Sequence, residues 1–444
     1  MGDAGIRRFP GGVSGRSWTF QEEVSMKIGS ARGGQGKARS GHRLMAPVVL
    51  GAVLALVASA CSNGAPGAAS TPPSGATGLA AVCPNPVTIA TDWTPEAEHG
   101  GYYELAASGG QIDTKNKTYT APLVDPFTGK PTNVKVEILA GGPAVCYLQT
   151  PELLHQQPNI LMGADDTDTA IFDSPSAPVI GIVAPILNGL QVLMWNPAHY
   201  HFNSIGDIGK SNATVLYFKG TGVIEYLAGA GYLKASQLDG SYTGNPARFV
   251  ASGGGVVEQA FATAEPYIYT HELPTWDKSV AYTLTQNAGG YNPYFEMGEA
   301  TPENVAKYAA CFKQLVPMIQ EAQIKYIENP SRVNQLIVQL VNAYGQVGGP
   351  YDLATAQYAD TTLLADRLLA QPTTGAFGSF DMSRVDQLIG EIRPIMAQGG
   401  QSLPNAYSAS SVVTNRFIDN SIKFTGYTGP YNDASGVVVV PGTK

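Results

Sequence analysis

The side chains able to do chemistry are spread along the chain and form no catalytic pattern. No G-x-S-x-G elbow, H-E-x-x-H, Walker loop or EF-hand sequence occurs. His271-Glu272 lacks the second histidine a zincin needs, and the six histidines are dispersed. His199 and His201 flank Tyr200 without an obvious third ligand. Lys219-Gly220-Thr221-Gly222 invites a dinucleotide reading, but the position of the third glycine is Glu225, so that reading fails. The same residues offer backbone N–H groups at a helix start, suited to a polar ligand group. No activated nucleophile, metal set or acid–base pair follows from spacing. The expectation is a protein that binds a ligand without converting it and needs no cofactor.

Charge and composition narrow the class. Of 444 residues, only 14% are charged, against roughly 25% in an average soluble protein, and 44% are apolar. Residues 1–60 hold eight cations and three acids. Removing these from totals of 27 and 35 leaves 19 and 32, a net charge of −13 for the body. Such a body lacks the cations to neutralise phosphates, which excludes a general nucleic-acid binder. The basic head is followed by 17 uncharged residues, Leu44 to Ala60, the n-region and h-region of a secretory signal. Val57-Ala58-Ser59-Ala60-Cys61 then resembles a bacterial lipoprotein box, with Cys61 as the acylated residue. Ala58 stands where Leu is usual, and Ala58-x-Ala60 also suits an ordinary signal peptidase. Residues 62–80 carry no charge and one large apolar residue, Leu79, and read as a tether spanning roughly 25 Å. The expected location is the outer face of a cell membrane, through a lipid.

Cys83, Cys146 and Cys311 remain, none in a CxxC or Cys/His cluster, so a metal site is not expected. Export permits a disulfide.

The elements that must position any site alternate. Strands are expected at 87–90, 134–139, 169–172, 179–183, 190–195, 214–218, 248–250 and 280–284, with helices between, the first near 100–108. That pattern indicates parallel sheets covered on both faces. Thr301-Pro302-Glu303 is a helix start. Helical apolar stripes follow from Val305 to Ile319 and from Val333 to Val341, with Asn329-Pro330 between them as a stop. The tail after Phe424 is expected to be loosely ordered.

The segment Thr91-Asp92-Trp93-Thr94-Pro95-Glu96-Ala97-Glu98-His99-Gly100-Gly101-Tyr102-Tyr103 resembles the W-x-P-x-x-x-H-x-G-x-Y motif of a family of solute-binding proteins. These bind thiamine-pyrimidine precursors, taurine, alkanesulfonates and nitrate for ABC importers. Phe172-Asp173-Ser174-Pro175, the Lys219–Gly222 loop and Gln259–Tyr267 match further points in order, over about 85–330. The resemblance implies an α/β, two-lobed periplasmic-binding-protein-like (type II) fold with hinge strands and extra C-terminal helices. Residues 1–60 would be leader and signal, 61–83 anchor and tether, 84–198 with 290–424 lobe one, 199–289 lobe two, and 425–444 a tail. Segments 108–133 and 236–245 stand out as insertions. It implies ligand contacts from Asp92, Trp93, His99, Asp173, Ser174, Thr221, Gly222, Glu265 and Tyr267. Its partners would be a small molecule and ABC permease subunits, with the chain a monomer.

In that cleft Asp92, Asp173 and Glu265 gather, with Glu96 and Glu98 nearby and Lys219 as the only obvious cation. Acids of this kind favour a neutral or cationic ligand through charge-assisted hydrogen bonds. Flat faces at Trp93 and Tyr267 would add about 0.5–1.5 kcal/mol by stacking, or about 0.5–2 kcal/mol beneath a cation. A small nitrogen-containing aromatic, such as an aminopyrimidine, is the leading ligand. Sulfonate or nitrate binding, and a surface or sensory lipoprotein, are the alternatives. Pyrimidine-synthase enzymes share the fold, but their cysteine-rich iron motif is missing here. Cys146 and Cys311, after the second strand and in the helix returning to lobe one, form the candidate disulfide.

Overall fold

The computed structural model describes residues 77–346, 349–432 and 434–443. The leader and Cys61 lie outside the described residues. Thirteen strands build two sheets in this region. The first contains β1 (Val87–Ala90), β2 (Gln111–Asp113), β3 (Thr118–Asp125), β4 (Lys130–Leu139), β5 (Met162–Asp165), β6 (Ile180–Val183) and β12 (Met297–Ala300). The second contains β7 (Gln191–Trp195), β8 (Thr214–Leu216), β9 (Leu238–Asp239), β10 (Val256–Phe261), β11 (Val280–Leu284) and β13 (Val437–Val440). Their orders are β2-β3-β4-β1-β5-β12-β6 and β13-β11-β7-β10-β8-β9.

The architecture is mixed α/β and two-lobed, as expected. The first sheet has a parallel centre and antiparallel flanks, while the second is parallel along one edge, β10-β8-β9, and antiparallel over the rest. β1 pairs in parallel with β4 and β5, while β8 pairs in parallel with β9 and β10. Strands of this kind are buried on both faces, and β1 and β5 are buried at every position. The chain crosses between sheets after β6 and returns after β11.

Several expectations change. Residues 169–172 belong to a helix, Thr167–Asp173, and 248–250 to a helix, Ala247–Ala251. A short apolar run does not separate a buried strand from a buried helix, and Asp168 in the first turn favours the helix. The segment 108–133 supplies β2, β3 and the start of β4, an antiparallel edge on the first sheet. The tail is not loose at its end, because β13 pairs antiparallel with β11. β7 falls inside the expected bounds of lobe one, yet it pairs with β10 and β11 in the second sheet.

The long helix Ala309–Glu328 crosses the short helix Gly100–Glu104 closely. A Cβ on Gly100 would lie 2.2 Å from Tyr326, and one on Gly101 would lie 2.1 Å from Gln323 Oε1. The two glycines of the motif therefore serve packing. Cys311, on the first turn of the long helix, is bonded to Cys83, with Cα atoms 4.8 Å apart. This corrects the expected Cys146–Cys311 pair. The chain just before β1 packs on the start of that helix, whereas Cys146 lies beside Tyr147 in the loop near Trp93. Closing so long a loop, 228 residues, stabilises by about 5 kcal/mol in the chain-entropy account.

Candidate functional site

The strand ends of both sheets converge on one cavity. Asp92 and Trp93 follow β1, and Asp165 and Asp166 close β5. Phe218 and Thr221 follow β8, and Phe261 and Glu265 lie at and beyond the end of β10. Ligands of open α/β sheets bind at such carboxyl ends.

The loop carrying Asp92 and Trp93 is fixed from behind. Gly141 N–H donates to Trp93 O at 2.9 Å, and Gly142 N–H donates to Asp92 O at 3.0 Å. Gly142 has φ +55°, and a Cβ there would lie 2.6 Å from the Trp93 ring. Glycine is the residue that lets this close approach occur. Trp93 then meets Phe218 of the second lobe edge-on at 5.3 Å, with Tyr147 against both rings at 6.1 and 5.4 Å.

A line of amides joins the lobes along the wall. Gln191 Nε2 donates to Asp166 Oδ2 at 3.0 Å, and Gln259 Nε2 donates to Gln191 Oε1 at 2.6 Å. Gln259 Oε1 accepts Phe218 N–H at 2.9 Å, and Thr221 Oγ1 donates to Phe218 O at 3.0 Å. Fixing Gln259 thus fixes the loop at the start of helix Gly222–Gly229.

The wall is acidic. Asp92, Asp165, Asp166 and Glu265 line it, and no Lys, Arg or His does so among the described residues. Lys219 is exposed and points no charge into the cavity. Burial pushes Glu265 up to about 7, although Phe261 N–H donates to its Oε2 at 2.8 Å. Asp165 and Asp166 are held well above the usual carboxylate range by burial first. Asp92 adds to the shift of Asp165, and Asp168 to that of Asp166. Behind Glu265 lie Glu96 and Glu98, both raised by burial, with a hydrogen bond between their side chains.

Asp92, His99 and Glu296 bring one potential metal ligand each within 4.8 Å of one another. His99 Nε2 lies 2.9 Å from Asp92 Oδ1 and 3.1 Å from Glu296 Oε1, while Glu96 N–H donates to Nδ1 at 3.2 Å. Burial opposes charge on the ring, but Glu296 and Asp92 outweigh it and hold the pKa well above the usual imidazole value. The geometry nevertheless favours the neutral ring, because an N–H aimed at Nδ1 leaves the proton on Nε2. Glu296 is itself held well above the usual carboxylate range, by burial first and then by Asp92. A metal on Nε2 would require a proton on Nδ1, where the Glu96 N–H already points. The trio is a brace that holds the Asp92 loop.

Of the nine residues expected to contact ligand, Asp92, Trp93, Thr221 and Glu265 line the cavity. His99 is wholly buried behind Asp92. Asp173 and Ser174 lie at the far end of the helix that starts at Thr167, about 10 Å along its axis from β5. Misreading that helix as a strand placed them at the cleft. Gly222 seats its helix on lobe one, where a Cβ would lie 2.6 Å from Asp168 Oδ2. Tyr267 turns out of the cavity and stacks on His271 at 4.2 Å and on Tyr358 at 5.1 Å. Asp165, Asp166, Gln191, Phe218 and Tyr242 were not anticipated. The Asp165-Asp166 pair ends a strand that carries few β-branched residues, so its signal was weak.

No protein-family model matches the chain, and no curated protein matches its sequence. Among solved structures, it is similar to the periplasmic aliphatic sulphonate-binding protein SsuA of Escherichia coli, with 13% identity and TM-score 0.44 over 82% of this chain and 98% of that one. The nitrate-binding protein NrtA of Synechocystis PCC 6803 gives 11% identity and TM-score 0.46 over 75% and 87%. A zinc-bound ligand-binding component of an ABC-type import system from Staphylococcus aureus gives 10% and 0.45 over 75% and 98%. Identities and scores this low say nothing about the ligand of this chain.

The raised carboxyls set a sign for stability. A carboxyl near 4.3 when unfolded and about 7 when folded binds more protons in the folded state between those values, so stability is present at low pH and falls as pH rises through that window. The ligand-free protein should therefore be more stable near pH 5 than near pH 7.5, and Glu265→Gln should flatten the slope by up to about 1.4 kcal/mol per pH unit. Denaturant unfolding across this range reads both, and stability that rises with pH would contradict the assignment.

Proposed function

We propose that this protein is an extracytoplasmic solute-binding protein that delivers a small nitrogen-containing, aromatic ligand to an ABC importer. The observation that carries the reading is the cavity between the lobes, walled by four carboxyl side chains and by aromatic rings, with no cation facing in among the described residues. An anion would find no cationic partner among these lining residues. A nitrogen heterocycle would find N–H acceptors at Asp92, Asp166 and Glu265 and a flat face at Trp93. The resemblance around Trp93–Tyr103 supports transport over a sensory or adhesive role, and an aminopyrimidine fits both lines of argument.

Calorimetry with 4-amino-5-hydroxymethyl-2-methylpyrimidine should show binding that weakens about tenfold or more in Trp93→Ala and in Glu265→Gln. Tight binding of taurine or nitrate, indifferent to both changes, would overturn the ligand class.

The proposed anchor is an acylated Cys61. Among the described residues no helix is long and apolar enough to cross a membrane. Cys61→Ala should move the protein from the membrane fraction to the soluble fraction, and unchanged membrane retention would contradict the anchor.

A further inference from the structure

One carboxyl oxygen in the cavity wall has no partner among the described residues. Asp166 is 4% exposed, its Oδ2 accepts Gln191, and its Oδ1 makes no hydrogen bond. A buried acceptor left unmet is unfavourable, more so when charged, and Oδ1 is therefore open to a donor that enters the cavity. The groups around it offer no compensating cation. Asp165 and Asp168 face it from its own segment, Asp92 from the loop after β1, Glu296 from the segment before β12, and neutral Gln191 from β7. Glu265, also on the wall, is faced by Glu96 and Glu98 from the first loop, Tyr242 from the second lobe and Glu258 on β10.

We infer that the ligand is bound as an organic cation, an amine or a protonated nitrogen heterocycle, and that it displaces a proton from the Asp166–Glu265 wall. The inference rests on this cavity being the ligand site proposed above. Without ligand, burial and neighbouring acids favour the protonated form of these carboxyls. When the cation enters, a carboxyl O–H bond breaks, the proton passes to solvent, and the carboxylate accepts an N–H from the ligand. One positive charge replaces another, so the net charge of the closed site is unchanged. Asp166 Oδ1 supplies the open acceptor, and the Trp93 and Phe218 rings cover the cation from water. A ligand that is already an anion brings no positive charge to take the place of the proton.

Two probes separate this from its alternatives: 4-amino-1-methylpyridinium, whose charge is permanent, and 4-aminopyrimidine, which can bind neutral. Each is titrated calorimetrically into the protein in buffers of different ionisation enthalpy, from about pH 5.5 to about pH 7.5. The expected result is that the fixed cation binds with close to one proton released near pH 6. Its affinity should rise about five- to tenfold per pH unit while the wall is protonated. Asp166→Asn should weaken it at least tenfold and reduce the proton count, while Tm stays at or above that of the unmodified protein. The proton count of the unmodified protein decides the question even if a variant fails to fold. Binding of the fixed cation without proton release would overturn the displacement. Binding of 4-aminopyrimidine but not of the fixed cation would overturn the cationic class and leave the cleft reading intact. Failure of both probes to bind would remove the cleft reading and this inference together.

Discussion

Carboxyl groups buried where two lobes meet, with no cation beside them, govern much of this structure. A bare carboxylate in such a place is expensive, and its affordable states are protonated or hydrogen-bonded. The chain uses both. Asp165 accepts the N–H groups of Thr150 and Asp166, and Glu265 accepts that of Phe261. Glu96 and Glu98 share a hydrogen bond, and Asp92 is braced by His99. Asp166 alone among the wall acids keeps an oxygen with no partner.

Positioning these groups explains features of the sequence with no direct part in binding. Gly141 and Gly142 give room for the Asp92–Trp93 loop, since Cβ atoms there would lie 2.2 and 2.6 Å from Thr91 O and the Trp93 ring. Gly100 and Gly101 let the following helix lie against Tyr326 and Gln323 of the long helix. The Cys83–Cys311 bond ties the start of the same lobe to that helix. Between the lobes, Gly222 rests on Asp168, and Tyr226 stacks on Tyr291 at 4.3 Å while donating to Glu391. These contacts join the two lobes beside the cavity.

The fold class was legible because β-branched runs such as Val87–Ala90, Val134–Leu139 and Val280–Leu284 mark strands strongly. Met162–Asp165 and Met297–Ala300 were not, since glycine, alanine and acid side chains mask their strand character. The site was half legible for the same reason. Asp92, Trp93, Thr221 and Glu265 follow elements that were placed correctly or quoted within the resemblance. Asp173 and Ser174 were displaced by a helix read as a strand, and Asp166 was missed with the strand that presents it. His99 illustrates a different limit. Its spacing in the motif gives no sign that its ring would be wholly buried and spent on Asp92, Glu296 and Glu96. The Cys83–Cys311 pairing depends on how the chain before β1 packs on a helix more than two hundred residues later, which no local pattern encodes.

The most direct test of the account is the identity of the molecule the protein carries. Protein purified from its native cells, denatured and analysed by mass spectrometry, should release a small nitrogen-containing compound detected as a cation. Release of a sulfonate or of nitrate in stoichiometric amount would contradict the acid-walled cleft as a site for nitrogenous ligands.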